Sequence, residues 1–410
     1  MKCKLNTEDL STGMYVAELD RPWVDSPFLF QGFTISSRRE LAQLREFCEY
    51  VYVDVENSRE DLRSRVRRAA VLDRGTSGAG GAPQPPAEQR YRSFKRELAR
   101  ALDIREKSRQ YLAVLLEDAK LGKSVSIESV RTVTAELLDT LLINPTASLW
   151  LTRLQNEDER TAMHSVNVAV VAMVFARHLG MDRTGIETVG MGGLLHDIGK
   201  TRVPASVLDK EGPLDEEEWR LMRAHPEEGA RLLEQSGGAP QEVIEIVRQH
   251  HERHDGSGYP QGLAGHQVAP NALLVGMVDA YDAMTADWPN APAVSLHHAL
   301  VELHKDSERL FGKELVERFV QCLGIYPVGT TLRLSNGATG IVISHNRSNR
   351  LRPVLLMVAD ARGQPYRRRS ILNLADDRPE TRDLEIREVV SPREFGQERI
   401  RKITAAESML

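Results

Sequence analysis

The segment His250–Pro260 reads HHERHDGSGYP, and it decides how this chain is interpreted. It follows Leu195–Lys200, which reads LHDIGK, and it precedes Val278–Ala283, which reads VDAYDA. Imidazole nitrogens and carboxylate oxygens hold divalent metal ions well, and one carboxylate can be shared between two of them. Isolated His-Asp pairs are common, but this ordered set along several predicted helices indicates a metal-dependent phosphohydrolase.

Composition excludes several classes of protein. The chain has 410 residues and is 41% hydrophobic, which allows two or three domains with sizeable cores. Its three cysteines form no CxxC pair, so we expect no disulfides and a reducing, cytoplasmic compartment. No apolar run approaches the roughly 20 residues that span a bilayer. A net charge of -5 disfavours a nucleic-acid polymer as ligand and leaves small nucleotides.

Hydrophobic patterning predicts a mainly α protein, with a central all-α domain between small β-rich modules at the two ends. A stretch dense in Gly, Pro, Ser and Ala between Gly75 and Gln89 is typical of a flexible linker. The predicted organisation is a β-rich N-terminal domain over residues 1–60, a linker over 61–90, a helical connector over 91–150, a catalytic domain over 151–325, a small β-module over 326–390 and a tail over 391–410.

His164 borders the apolar face of a helix predicted over residues 161–179. Taken alone, such a histidine is more often a core or surface side chain than a ligand. Asp279 and Asp282 interrupt another apolar helix, where buried carboxylates are costly unless they are paired or metal-bound. This favours a ligand role for at least one of them, with Asp282 as a hydrogen-bond acceptor for a ligand.

His196 and Asp197 end an apolar helical stretch, which Gly199 is expected to terminate in a left-handed conformation. Lys200 then lies just past the helix end. There it is either a favourable charge near a helix C-terminus or a phosphate clamp beside the metals.

Two further histidine sites lie at predicted helix boundaries. His225 precedes a proline, a position where a side chain can point into a cleft. His250 and His251 end an apolar run, and adjacent helical residues differ by roughly 100°. Two adjacent ligands therefore place the metals at a helix terminus.

Together these motifs resemble the HD-GYP family, the subgroup of HD-type phosphohydrolases associated with hydrolysis of the bacterial messenger cyclic di-GMP. The resemblance covers roughly residues 159–323 and rests on the ordered His-Asp, His-Pro, His-His-Glu-Arg and Gly-Tyr-Pro elements. It identifies the central helical domain as HD-type. The stretch from Gly13 to Phe33 also resembles the accessory domain that often precedes this catalytic domain.

The resemblance implies two divalent metal ions, iron or manganese, and a hydroxide bridging them that attacks phosphorus to yield pGpG and then GMP. In that scheme Lys200 neutralises charge on the phosphoryl oxygens, Tyr259 shapes the substrate-side loop, and Trp288 is a candidate for stacking on guanine. Asp197 would bridge both ions. The implied metal ligands are His164, His196, Asp197, His225, His250, His251 and Asp279.

Two positions depart from the family pattern. Members with a third metal carry a Glu four residues before the first histidine, where this chain has Arg160, so a binuclear site is expected. Residues 288–291 read WPNA where the family usually has Arg-Pro-Tyr-Arg. The loss of these two cations leaves Lys200 as the main identifiable cation for phosphate.

Two alternatives to a cyclic di-GMP phosphodiesterase stay open at this point. One is an HD-type hydrolase of another nucleotide. The other is a weakly active cyclic di-GMP receptor or scaffold that signals to a partner such as a GGDEF-type cyclase. The expected ligand is a cyclic dinucleotide whether the protein is a cyclic di-GMP phosphodiesterase or a cyclic di-GMP receptor. A homodimer is the candidate assembly.

Overall fold

The computed structural model describes residues 2–20, 33–35, 38–55, 58–59, 62, 87–152, 160–210, 212–286, 292–346, 349–376, 379–391 and 394. The chain divides into two compact units. The first comprises Met1–Pro85 with Arg177–Asp182, and the second comprises Pro86–Ala176 with Arg183–Leu410.

The first unit contains a four-stranded antiparallel sheet whose strands lie in the order β1-β4-β2-β3. Alternation along Tyr50–Asp54 places Val51 and Val53 in the core, as expected of a sheet with one buried face. The helix Arg38–Phe47 contributes the fully buried Leu44 to the same core. The elements of the first unit are β1 (Lys2–Asn6), β2 (Tyr15–Leu19), β3 (Phe33–Thr34), α1 (Arg38–Phe47) and β4 (Tyr50–Asp54).

The second unit begins with a long run of helices. Several start at side-chain caps: Ser126 precedes the helix Ile127–Ile143, and Asp215 precedes the helix Glu216–Arg223, where Asp215 and Glu218 form a capping box. The helices are α2 (Ala87–Lys120), α3 (Ile127–Ile143), α4 (Pro145–Leu151), α5 (Arg160–His178), α6 (Arg183–Leu195), α7 (Ala205–Leu208), α8 (Glu216–Arg223), α9 (His225–Ser236), α10 (Gln241–Gln249), α11 (Pro270–Thr285), α12 (Leu296–Lys305), α13 (Ser307–Leu310) and α14 (Lys313–Leu323).

A five-stranded antiparallel sheet follows these helices, with strands in the order β8-β7-β6-β5-β9. A turn at Ser335–Gly337 joins the strands Thr331–Leu334 and Thr339–Ser344, and Gly337 adopts a φ of 85° there. Its elements are β5 (Thr331–Leu334), β6 (Thr339–Ser344), β7 (Val354–Ala359), β8 (Pro365–Asn373), α15 (Pro379–Arg382) and β9 (Ile386–Val389).

One hydrophobic core joins this sheet to α2 and α4. Trp150 is only 1% exposed there, and its ring meets that of Phe94 edge-on at 5.5 Å between centroids. Ile341 and Leu356 contribute from the sheet. The stretch predicted as a connector therefore packs against the sheet and helps to build its core.

The predicted mainly α architecture with a small β-rich module at each end is confirmed. The predicted linker lies outside the described residues except for Leu62 and the start of α2. Helix α2 already begins at Ala87, because residues 87–90 are good helix formers with no glycine or proline among them. The predicted tail also lies outside the described residues, apart from Ser391 and Glu394.

None of the described helices combines the length and the apolar character that crossing a bilayer requires.

We predict that Trp150→Ala destabilises the second unit by about 3–5 kcal/mol, because it removes a buried indole and leaves a cavity in the shared core. Urea denaturation followed by circular dichroism measures the change. The matched control is Trp219→Ala, since Trp219 is 46% exposed. Equal losses in the two variants would contradict this account of the core.

Candidate metal centre

Most of the candidate ligands lie where helices begin or end. His196 and Asp197 occupy the turn between α6 and a short 3-10 helix, Ile198–Arg202. His225 is the first residue of α9, and His250 caps the C-terminus of α10. His164 and Asp279 come from within α5 and α11, and side chains from these separate helices meet in one buried cluster.

Two glycines allow the ligand-bearing backbones to approach closely. A Cβ on Gly199 would lie 1.9 Å from the carbonyl oxygen of His225, and one on Gly276 would lie 2.0 Å from that of His250. The expectation of a left-handed Gly199 is wrong, because its φ is not positive and it lies inside the 3-10 helix. Gly199 is instead needed for contact between that helix and α9.

Backbone carbonyls orient three of the imidazoles. The Nδ1 atom of His196 donates to Gly193 O at 2.9 Å and that of His250 to Val247 O at 2.8 Å. The same atom of His225 donates to Met222 O at 2.7 Å. A carbonyl can only accept, so each Nδ1 carries the hydrogen and each Nε2 of the neutral ring presents a lone pair.

These Nε2 atoms converge on Asp197, which is 2% exposed. Its Oδ1 lies 3.2 Å from His225 Nε2 and 3.8 Å from His250 Nε2, while its Oδ2 lies 3.3 Å from His196 Nε2. The two oxygens therefore face different imidazoles. This is the arrangement that a carboxylate shared between two metal ions requires.

Two groups of donors result, and in each the ligand atoms all lie within 4.8 Å of one another. Asp197 belongs to the first group, and its Oδ2 also faces His196 of the second. The first group is Asp197, His225, His250 and His251, and the second is His164, His196 and Asp279.

Burial keeps two histidines of the first group neutral. It lowers the pKa of His251 to about 3, and it holds the pKa of His250 well below its ordinary value, with His251 adding to the effect. Neutral imidazole is the form that coordinates a metal. The Nε2 atoms of His225 and His250 face each other at 3.3 Å, an unfavourable meeting of lone pairs that a cation between them would relieve.

His164 lies between two carboxylates. Its Nε2 is 2.9 Å from Asp279 Oδ1 and its Nδ1 is 2.8 Å from Asp282 Oδ2. Burial alone would lower the pKa of His164, but hydrogen bonds with these acids raise it to about 10. Burial would likewise raise the pKa of Asp279, yet the hydrogen bond from His164 lowers it. The ring therefore donates from both nitrogens, and a metal ion bound at Nε2 would replace the proton there while Asp282 keeps the one on Nδ1.

Lys200 contacts the shared carboxylate directly. Its Nζ donates to Asp197 Oδ2 at 2.6 Å, and the side chain is 29% exposed. Burial would lower the pKa of Lys200, but the charge of Asp197 raises it. The ammonium group stays protonated and lies between the cluster and solvent.

Tyr259 packs on the cluster through His251. The two rings stack with centroids 4.6 Å apart and planes inclined by 23°. The loop that carries Tyr259 is fixed by Glu252, which is fully buried and accepts hydrogen bonds from the backbone N–H groups of Gln261 at 2.7 Å and Leu263 at 3.0 Å. Glu252 thus couples the end of α10 to the Gly-Tyr-Pro loop.

The donor set fits divalent metal ions. Among the described residues, His196 Nε2 and Asp197 Oδ1 are buried polar atoms that make no hydrogen bond, a costly condition that metal coordination would remove. The mixture of nitrogen and oxygen donors suits first-row transition metals.

Comparison with known proteins identifies the relatives of this chain. The model "HD domain" matches residues 144–315, "Domain of unknown function (DUF3391)" matches residues 2–130, and "KOW domain associated with HD domain" matches residues 331–398. A protein named "Cyclic di-GMP phosphodiesterase PA4108" from Pseudomonas aeruginosa is 31% identical over 88% of this chain and 86% of its own length.

The chain belongs to the HD-GYP family. This membership confirms the predicted family and the predicted class of enzyme, a metal-dependent phosphodiesterase.

Other relatives cover a smaller share of this HD-GYP protein. "Cyclic di-GMP phosphodiesterase response regulator RpfG" from Xanthomonas campestris is 34% identical over 41% of this chain and 45% of its own length. "3'3'-cGAMP-specific phosphodiesterase 3" from Vibrio cholerae is 31% identical over 41% of this chain and 36% of its own length. The solved structure of Bd1817 from Bdellovibrio bacteriovorus is 20% identical, covers 79% of this chain and 99% of its own, and has a TM-score of 0.46.

All seven predicted ligands of the HD-GYP protein lie in the two donor groups, and Asp282 and Lys200 contact members of them. Trp288 lies outside the described residues. The sequence analysis missed Glu252, although it lies within the segment quoted first. The sequence around Glu252 does not indicate its role, because only the folded loop brings backbone N–H groups to its carboxylate.

We predict that Gly276→Ala abolishes metal binding, because its Cβ would force the His250 carbonyl, and with it the ligand, out of position. Metal content after reconstitution is measured by mass spectrometry. The control is Gly340→Ala in the C-terminal sheet, whose Cβ would meet only side-chain atoms at 3.0 Å or more. Full metal loading of the Gly276→Ala protein would refute the proposed role of this close contact.

We also predict that Glu252→Gln weakens the Gly-Tyr-Pro loop, since an amide nitrogen would face a backbone N–H that now donates to a carboxylate oxygen. The expected loss of stability is about 1–3 kcal/mol, with faster amide hydrogen exchange at Gln261 and Leu263. Glu242→Gln, an exposed change on α10, is the control. Unchanged exchange at both amides would count against the proposed anchor.

Proposed function

We propose that this HD-GYP protein hydrolyses cyclic di-GMP to linear pGpG, with GMP as a later product. The observation that carries the proposal is the shared Asp197 carboxylate, which faces imidazoles of two donor groups. The relative from Pseudomonas aeruginosa, similar along most of both chains, supports cyclic di-GMP as the substrate.

Each predicted ligand has a role in this proposal. His225, His250 and His251 would hold one divalent ion. His164, His196 and Asp279 would hold a second, and Asp197 would be shared between the two. We propose iron or manganese for both ions, since imidazole and carboxylate donors suit these metals.

When bound, the two ions would supply Lewis acidity and lower the pKa of a coordinated water. The protein's own groups do the rest. Asp197 carries negative charge between the two donor groups, and buried carbonyl contacts keep the Nε2 atoms of three histidines aimed at it. Asp282 orients His164 through Nδ1. The site is therefore preorganised before substrate arrives.

Three further side chains are assigned to the substrate. Lys200 would leave part of its interaction with Asp197 and neutralise charge that develops on the phosphoryl oxygens. Tyr259 would form the wall of the site beside His251. Trp288 is proposed to stack on guanine.

Partners and location are also part of the proposal. A GGDEF-type cyclase is the proposed protein partner, since it would make the messenger that this enzyme removes. A homodimer is the proposed assembly. The low cysteine content supports a reducing compartment such as the cytoplasm.

We predict that Asp197→Asn loses both metal and activity, because an amide has no charge to hold two ions together and leaves Lys200 without its carboxylate. Metal stoichiometry and product release from cyclic di-GMP are measured in parallel after anaerobic loading with iron or manganese. Asp209→Asn, an exposed change, is the control. Full stoichiometry in the Asp197→Asn protein would rule out the shared-ligand assignment.

A substrate panel separates the proposed function from its alternatives. The metal-loaded parent is incubated with cyclic di-GMP, 3'3'-cGAMP and cyclic di-AMP, and products are resolved chromatographically. Release of pGpG or GMP by the parent but not by Asp197→Asn supports the proposal. Turnover of another nucleotide alone would indicate a different HD-type hydrolase. Metal-loaded protein that binds cyclic di-GMP without turnover would indicate a receptor or scaffold.

A further inference from the structure

Beside the metal centre lies a second group of side chains, Trp219, Arg223 and Tyr259. The Cζ atom of Arg223 is 5.6 Å from the centroid of the Trp219 ring and 5.6 Å from that of the Tyr259 ring. Trp219 precedes Arg223 by four residues on α8, which places the two on one helix face. Cations at such distances from aromatic rings are attracted by the ring quadrupole.

This group is tied to the metal centre at two points. Tyr259 stacks on His251, a member of the first donor group. Arg223 directly follows Met222, whose carbonyl oxygen accepts the hydrogen bond from His225 Nδ1 at 2.7 Å. The Tyr259 ring is therefore held against His251, and the backbone of Arg223 is held next to His225; both histidines belong to the first donor group. Its guanidinium is placed at the edge of the site.

The other cations near the centre already have partners. Lys200 donates to Asp197 at 2.6 Å. Arg253 donates through Nη1 to the carbonyl oxygens of His250 and Glu252. Within the described part of the chain, the Arg223 guanidinium makes no hydrogen bond or ion pair, and the residue is exposed. Its donors are thus directed to solvent beside the metal centre.

The chemistry of a cyclic dinucleotide requires such a group. It carries two phosphates in one ring, so when one phosphate lies at the donor groups the other remains a charge on the same small ligand. A guanidinium binds phosphate through two parallel hydrogen bonds, and a planar aromatic contact holds it ready to do so.

We infer that Arg223, held between Trp219 and Tyr259, binds the phosphate of the cyclic dinucleotide that is not being cleaved. This inference rests on the proposed function and extends it. It assigns recognition of the second phosphate to α8. Arg223 then supplies a positive charge in addition to Lys200, which is engaged with the shared carboxylate.

The test compares two ligands with the same bases, cyclic di-GMP with two phosphates and the dinucleotide GpG with one. Affinity for cyclic di-GMP is taken as KM where it is cleaved and as equilibrium Kd where it is bound uncleaved. Affinity for GpG is taken from competition. The variants are Arg223→Gln and Arg223→Lys in metal-loaded full-length protein. Arg220→Gln is the matched control, because Arg220 lies on the same helix but pairs with Glu217.

Arg223→Gln is expected to lower the affinity for cyclic di-GMP about tenfold or more, as loss of a charged hydrogen bond does. The ratio of affinities for cyclic di-GMP and GpG should fall by a similar factor. Arg223→Lys should recover part of the loss, since it keeps the charge without the planar fork. Arg220→Gln should keep the parent ratio, and metal content and circular dichroism verify that each variant is folded.

Other results would overturn the inference in identifiable ways. Equal weakening of both ligands by Arg223→Gln would mean that the residue contacts a feature both ligands share, a guanine or the first phosphate, and not the second phosphate. If the parent cleaves cyclic di-GMP and Arg223→Gln leaves the affinity for it unchanged, this inference is refuted and the proposed function is left intact. A parent that neither binds nor cleaves cyclic di-GMP would refute both.

Discussion

The structure of this site depends on one buried carboxylate surrounded by imidazoles. Asp197 is 2% exposed, and burial of an ionised carboxyl is costly unless cations or hydrogen-bond donors compensate it. Burial would raise the pKa of Asp197, but His196 and Lys200 beside it hold that pKa well below its usual range. Lys200 compensates only part of that cost, since Asp197 Oδ1 has no hydrogen bond among the described residues. The remaining demand for positive charge explains why the cluster is suited to metal ions.

Meeting that demand constrains the backbone. Donors from several helices reach one carboxylate only if the backbones approach each other closely, and Gly199 and Gly276 permit this at the carbonyls of His225 and His250. Nearby carbonyl oxygens, those of Met222 and Val247, then orient the imidazoles of His225 and His250 through Nδ1. Packing and ligand orientation are therefore one feature of the fold. A change in either is expected to affect metal binding before it affects overall folding.

Electrostatics divides the cations around the site by task. Lys200 neutralises the shared carboxylate, and Arg253 supports the carbonyls at the end of α10. Arg223 is held by aromatic rings and points to solvent. In our proposal, the second phosphate of the cyclic ligand needs a positive charge away from the donor groups. Helix α8 ends just before His225 and carries Arg223, which we propose supplies that charge.

The ordered His-Asp, His-Pro, His-His-Glu-Arg and Gly-Tyr-Pro motifs indicated the family by resemblance, and the candidate ligands were carried over from that resemblance. The regular apolar pattern of buried helices determined the mainly α architecture. Helix ends at His225 and His250 could be predicted from proline and apolar periodicity. Only the tertiary structure decided which oxygen of Asp197 faces which imidazole, why Gly199 is needed, and that Glu252 and Arg223 lie beside the candidate ligands. Those properties depend on contacts between residues far apart in the chain. Hydrogen bonds to backbone carbonyls and contacts with ring faces cannot be predicted from residue type.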